Sequence, residues 1–244
     1  MATLKETVVA ICTEVAKDFP GWEFKGLEFR KSILKHCDVV ISGGFHFDSV
    51  STCLQPSVQV HHKPSMRLCK KVTGHAYWTS YLIFDAVEGF SGNFKSTWNH
   101  GLIVKSKEQI FRAFPDFRPR ADHYIDIKEM PLVMRAMVID GITLLDRYYD
   151  QASEVSLLRG LPPKYKPHYK HDDPPGLNGT AGISACIAHI YAGDFDFFDW
   201  YRSDACKTVA PKKEADLAKI ALMLPELKQM FQKESNLLIG GRKS

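Results

Sequence analysis

The chain has 244 residues, 45% hydrophobic and 25% charged, with a formal net charge of +4; such a chain is globular and long enough to bury about 70% of its unfolded surface. That charge is too small to argue by itself for a nucleic-acid partner, and it runs against a polyanion mimic built to block a basic nuclease. The most apolar stretch, 130–145, is interrupted by Arg135 and Asp140, so no run is fit to cross a bilayer, and the protein is expected in the cytoplasm with no membrane partner.

The first residues carry no apolar signal core, and the six cysteines form no C-x-x-C pair, which agrees with a reducing compartment and with no structural zinc. Thr3-x-x-Glu6 reads as a capping box. Leu4, Val8, Ile11, Cys12, Val15 and Phe19 then recur at helical spacing until Pro20-Gly21, predicting one helix with a single buried face.

The period next changes to two. Cys37, Val39 and Ile41, then Phe45 and Phe47, then Val58 and Val60, then Met66, Leu68 and Val72 read as strands. Ser42-Gly43-Gly44 is expected to turn a hairpin, and Lys63-Pro64-Ser65 a second turn. The runs 76–86 and 98–104 flank a turn at Gly89 to Asn93. Together these predict an antiparallel meander of roughly five to seven strands.

Helical rhythm returns at Ser106. Ser106-x-x-Gln109 opens a short helix, and Asp126-x-x-Glu129 a long one whose apolar residues, Leu132 and Ile139 among them, lie nearly all round and so predict burial on every side. Asn178 or Thr180 is expected to cap another helix, and Gly193-Asp194 to end it and cap the next in a tight helical hairpin. A last helical region, 212–233, is expected to break or restart near Pro225, with a loose tail from Gly240. Strands first and helices after give an α+β fold. The expected organisation is a helix with an antiparallel sheet over 1–105 and a helical part over 106–244, packed on it as one unit.

The stretch from Lys164 to Gly182, KYKPHYKHDDPPGLNGTAG, concentrates lysine, tyrosine, histidine and aspartate. Its prolines forbid a helix and favour an extended connector, on which His168, His171 and Asp172 or Asp173 share a side as a conceivable metal cluster. A zinc site needs more ligands on a firmer frame. Lys164, Lys166 and Lys170 alternate with Tyr165 and Tyr169, a pattern suited to single-stranded bases but weak in one short stretch. Gly179-Thr180-Ala181-Gly182 opens a helix without a P-loop lysine.

His46 and Asp48 share a strand face with no nucleophile beside them, and Glu23-x-Lys25 is half of a nuclease pattern whose second acid is out of place. Catalytic, metal and cofactor residues are therefore assigned to none of these positions.

Two features point to binding instead. Phe195, Phe197, Phe198, Trp200 and Tyr201 stand among aspartates in DFDFFDWYRSD, and aromatic side chains rimmed by charge make interface hot spots. Lys63, Arg67, Lys70 and Lys71 form a basic surface in a stretch from Asp48 to Asp85 that holds no acid between those two residues.

WEFKGLEFRK, VVISGGFHF and IAHIYAGDFDFFDW, taken with the order of helix, meander and helices, resemble a group of bacterial α+β proteins of otherwise unknown function, some of which are toxin-immunity proteins. The resemblance implies a non-catalytic protein whose partner is another protein, a toxin domain. Inhibitors of nucleases are often acidic, so this slightly basic chain better suits an acidic toxin or one of another kind. The alternatives are a metal-dependent hydrolase built on the His/Asp clusters and a nucleic-acid-binding protein using the basic stretch.

Overall fold

The computed structural model describes residues 2–48, 51–84, 87, 92–93, 101–113, 115–116, 122–161, 179–208 and 211–240, the last nine of these as backbone only. In chain order the elements are α1 (Leu4–Ala16), β1 (Glu23–Lys25), β2 (Glu28–Leu34), β3 (Cys37–Ser42), β4 (His46–Phe47), β5 (Ser51–Leu54), β6 (Ser57–His62), α2 (Lys63–Thr73), β7 (Ser80–Ile83), β8 (Gly101–Val104), α3 (Lys107–Ala113), β9 (Tyr124–Asp126), α4 (Met130–Tyr148), α5 (Glu154–Arg159), α6 (Gly179–Tyr191), α7 (Asp196–Arg202) and α8 (Glu214–Gly240). The fold is α+β, and none of the described helices is long and apolar enough to cross a membrane.

The strands divide between two sheets, β1-β2-β3-β6-β7 and β4-β5-β8-β9. Pairing is antiparallel within β1–β2, β4–β5 and β5–β8, and parallel in β8–β9. Ser42-Gly43-Gly44 therefore does not close a hairpin. It carries the chain from the first sheet to the second, where β4 pairs with β5.

A tight hairpin does occur between β1 and β2, where Lys25 pairs with Glu28 and the two intervening residues, Gly26 and Leu27, have φ of 62° and 68°. Both loop positions of such a turn require positive φ, which glycine takes freely and leucine does not.

The chain forms two compact units, one of 1–33, 38–59 and 81–148, the other of 34–37, 60–80 and 149–244. This differs from a division near residue 105, because α3 and α4 belong to the first unit and α2 to the second. In the first unit the expected capping box is present: Glu6 N–H donates to Thr3 Oγ1 at 3.2 Å and Thr3 N–H to Glu6 Oε2 at 2.7 Å. Helix α1 buries Leu4, Val8, Cys12 and Val15 and packs on α4 and β1.

Helix α4 buries Met130, Val133, Met134, Met137, Val138, Leu144 and Leu145, but Leu132 is 66% and Ile139 43% exposed. Burial all round is corrected to burial on one side, since neighbouring elements cover only that side. Asp140, 1% exposed on α4, accepts from the Asn93 N–H at 2.8 Å and the Asn93 side-chain amide at 3.1 Å. The next residue, Gly141, lies against Ile41, where an added Cβ would stand 2.7 Å from the isoleucine side chain.

The second unit departs from the alternating pattern of its sequence at its first helix. Lys63–Thr73 is helix α2 and not a turn followed by a strand. Pro64 sits at the start of the helix, where its missing N–H would have had no partner, and Gly74 ends it with φ 84°. Its buried residues, Ser65, Leu68, Cys69 and Val72, follow helical spacing. Met66 and Leu68 only happened to alternate. Helix α8 likewise runs through Pro225 without a break, held to the unit's core by Leu217 and Ile220, which are buried, and by Leu224 and Leu227, which pack against it.

Two substitutions in the first unit test these local accounts with opposite signs. Gly141→Ala improves helix propensity yet overpacks against Ile41, and is expected to lower stability by about 1–3 kcal/mol in urea unfolding. Leu27→Asn relieves the left-handed leucine and is expected to raise stability by up to about 1 kcal/mol in the same measurement.

Candidate functional site

Helix α6 is the central element of the second unit, buried from Gly182 to Ile190. Its apolar residues join those of α2, α7 and α8 in one core containing Leu68, Val72, Ile187, Phe198, Leu217 and Ile220. The turn that follows α6 is where titratable groups converge. Gly193 has φ 73° and lies so close to the Phe231 ring that a side chain there would collide. The Asp194 N–H donates to the His189 carbonyl at 2.8 Å, and one Asp194 carboxylate oxygen accepts from the Phe197 N–H at 3.3 Å. The cap expected at Gly193-Asp194 is thus present.

The other carboxylate oxygen of Asp194 lies 2.8 Å from His189 Nδ1. The imidazole is 2% exposed and stacks on Phe197, with centroids 3.7 Å apart and planes 4° from parallel. Nε2 is buried and has no hydrogen-bond partner among the described residues. Arg159 donates its Nε–H to the Ala192 carbonyl at 3.2 Å, and with Gly193, Asp194, Phe195 and Asp196 it lines a cavity of about 430 Å³.

A histidine oriented by a carboxylate is half of a general-base arrangement. Here the nitrogen that would act is enclosed, and the hydroxyl of Ser184 on the same helix donates to the Trp78 carbonyl at 2.7 Å. Burial lowers the proton affinity of His189 more than Asp194 raises it, so the ring is neutral, donating from Nδ1 and holding a lone pair at Nε2. The pair acts as a staple for the α6–α7 turn. The cysteines of this core are no better nucleophiles, because burial pushes the Cys69, Cys186 and Cys206 thiols up.

Most of the aromatic segment serves the same core. Phe197, Phe198 and Tyr201 are buried, which removes them from the surface expected of five aromatics. Phe195 is half-buried, edge-on to Phe231 at 6.1 Å. Trp200 is 42% exposed, with exposed Asp196, Asp199 and Asp204 in the same segment. Helical geometry explains the division, since positions 197, 198 and 201 share one face of α7 and positions 196, 199 and 200 the other.

The basic residues behave in the opposite way. Lys63, Arg67, Lys70 and Lys71 all lie on the exposed side of α2, opposite Leu68, Cys69 and Val72. The side chains of Arg67, Lys70 and Lys71 form no hydrogen bond or ion pair with any described residue, and α2 holds no acid. At the end of α2, Lys219 of α8 donates to the Val72 carbonyl at 2.7 Å and pairs with Asp216 at 2.9 Å.

Elsewhere the candidate groups do not converge. Asp48 accepts from both the N–H and the hydroxyl of Ser51 at 2.6 and 2.7 Å, while His46 is exposed. Glu23 and Lys25 are exposed on β1. His168, His171, Asp172 and Asp173, like Lys164 to Lys170 and Asn178, lie outside the described residues. Thr180 falls inside α6, where its hydroxyl accepts from Lys213 Nζ at 2.7 Å. No group of three or more metal-ligating side chains occurs among the described residues. The His189–Asp194 pair is not legible in the sequence because its spacing of five crosses a helix end; Gly193 between them is the available signal.

His62, at the junction of β6 and α2, is a second buried imidazole, with Nδ1 2.6 Å from Ser65 Oγ. Burial, helped by His36 and Arg67, lowers its value to about 4 from 6.5. An unfolded histidine protonates near 6.5, so the stability held by His62 and His189 is complete above that pH and is lost as pH falls through the folded values. The unfolding midpoint is expected to drop between about pH 6.5 and 4, with a loss of stability through His62 on the order of 3 kcal/mol. Calorimetry across that window with His62→Gln, which lacks the proton uptake, should show a flatter profile.

No protein-family model, curated protein or solved structure matches the chain.

Proposed function

We propose that the chain is a non-catalytic binding protein whose partner is another protein, of the kind the immunity-type resemblance implies: a toxin domain that it neutralises. The observation that carries this reading is Trp200, an indole left 42% exposed among exposed aspartates on a helix whose other aromatics are locked in the core. Such an aromatic on a rigid base presents apolar area at little cost in conformational entropy, and in a complex the contacts around it exclude water. The buried titratable groups of the same unit support the reading from the other side. In the His189–Asp194 pair, the carboxylate holds the α6–α7 turn and the imidazole nitrogen left without a hydrogen bond, Nε2, is buried.

The test is genetic and physical together. A reading frame beside this gene is expected to encode a growth-inhibiting protein; co-expression of this chain should restore growth, and the two should co-purify. Growth inhibition that persists with the folded chain present excludes the reading. Trp200→Ala is expected to weaken the complex by about 2 kcal/mol, roughly thirtyfold, as measured by calorimetry, while leaving the thermal midpoint of the free protein nearly unchanged.

A further inference from the structure

The outer side of α2 is an interaction surface, and resting on the protein-binding reading above, we infer that its occupant is a carboxylate-bearing helical surface of the partner protein. Lys63, Arg67, Lys70 and Lys71 stand at positions i, i+4, i+7 and i+8, so they form one exposed stripe about 12 Å long. Arg67 has Lys63 and Lys71 four residues away and Lys70 three away, and each such like-charge pair weakens a helix. No acid on α2 offsets this, and the side chains of Arg67, Lys70 and Lys71 have no hydrogen-bond or ion-pair partner among the described residues. The unit therefore holds a locally unfavourable arrangement that facing carboxylates would relieve. Carboxylates at helical spacing on a partner would meet cations at the same spacing.

The packing of α2 chooses among anionic partners. A basic amphipathic helix can bind a membrane by inserting its apolar face, but Leu68, Cys69 and Val72 are already in the unit's core. Single-stranded nucleic acid needs aromatic platforms beside the cations. Tyr77 and Trp78, which follow α2 in the chain, are half-buried and pack edge to face with centroids 4.7 Å apart. Duplex reading would use polar side chains of the first helical turn, where α2 has Lys63, Pro64 and buried Ser65. A short convex stripe of cations suits the side of another helix.

The decisive variant is Arg67→Glu in the full chain, which turns three like-charge pairs into opposite-charge pairs. Its melting temperature is expected to rise by about 1–3 °C, so any loss of binding does not come from unfolding. The probes are a short helical peptide with glutamates along one face and a single-stranded oligonucleotide of equal charge. Wild type is expected to bind the peptide in a salt-dependent way, with Arg67→Glu at least tenfold weaker and the oligonucleotide the poorer ligand. Peptide affinity unchanged by the variant overturns the inference, as does tighter binding of the oligonucleotide. In the growth assay, failure of the wild type removes the protein-binding reading itself, whereas full rescue by Arg67→Glu removes only the role of α2.

Discussion

The packing of α2 against α6 and α8 is the constraint on which the functional features of the second unit depend. Leu68, Cys69 and Val72 enter the core of that unit beside Ile187, Leu217 and Ile220, and each fully buried aliphatic side chain contributes about 1.5–3 kcal/mol. Once that side is buried, helical geometry leaves Lys63, Arg67, Lys70 and Lys71 on the opposite side with no freedom to retreat. Burial of a few apolar residues thus fixes the position of the charges. Lys70 and Lys71 also sit in the last turn, where cations favour the negative end of the helix dipole, and this partly offsets their mutual repulsion.

A second set of interactions holds the turn between α6 and α7. Gly193 supplies the positive φ, Asp194 caps the Phe197 N–H, and the same carboxylate orients His189 against the Phe197 ring. An imidazole that donates from Nδ1 and keeps its lone pair at a buried Nε2 is acceptable only while neutral, because a proton at Nε2 would have no acceptor. The same geometry that makes the pair look like part of a catalytic group makes it a structural fastening. What distinguishes the two is access, and here the core closes over the nitrogen that chemistry would need.

Local signals were legible where a few neighbouring residues decide the outcome. Thr3 and Glu6 form their capping box, Gly193 and Asp194 end one helix and begin the next, and the α+β order follows the change of period. Signals failed where two periods share the same residues. Met66, Leu68 and Val72 fit an alternation, but Ser65, Leu68, Cys69 and Val72 fit a helix, and Pro64 marked its first turn rather than a bend. For the candidate site, the basic residues were visible as a cluster but not as a stripe. The aromatic cluster was visible without its division into buried Phe198 and Tyr201 and exposed Trp200.

By itself the sequence determined the fold class, the caps at Thr3–Glu6 and Gly193–Asp194 and the residue types at both candidate surfaces, because these follow from composition and from contacts within a turn or two. Only the tertiary structure decided that Ser42-Gly43-Gly44 passes between sheets, that His189 and Asp194 meet, and which side of α2 and α7 faces water. The physical reason is that exposure belongs to a pair of packed surfaces, and no single segment carries the information about what will cover it.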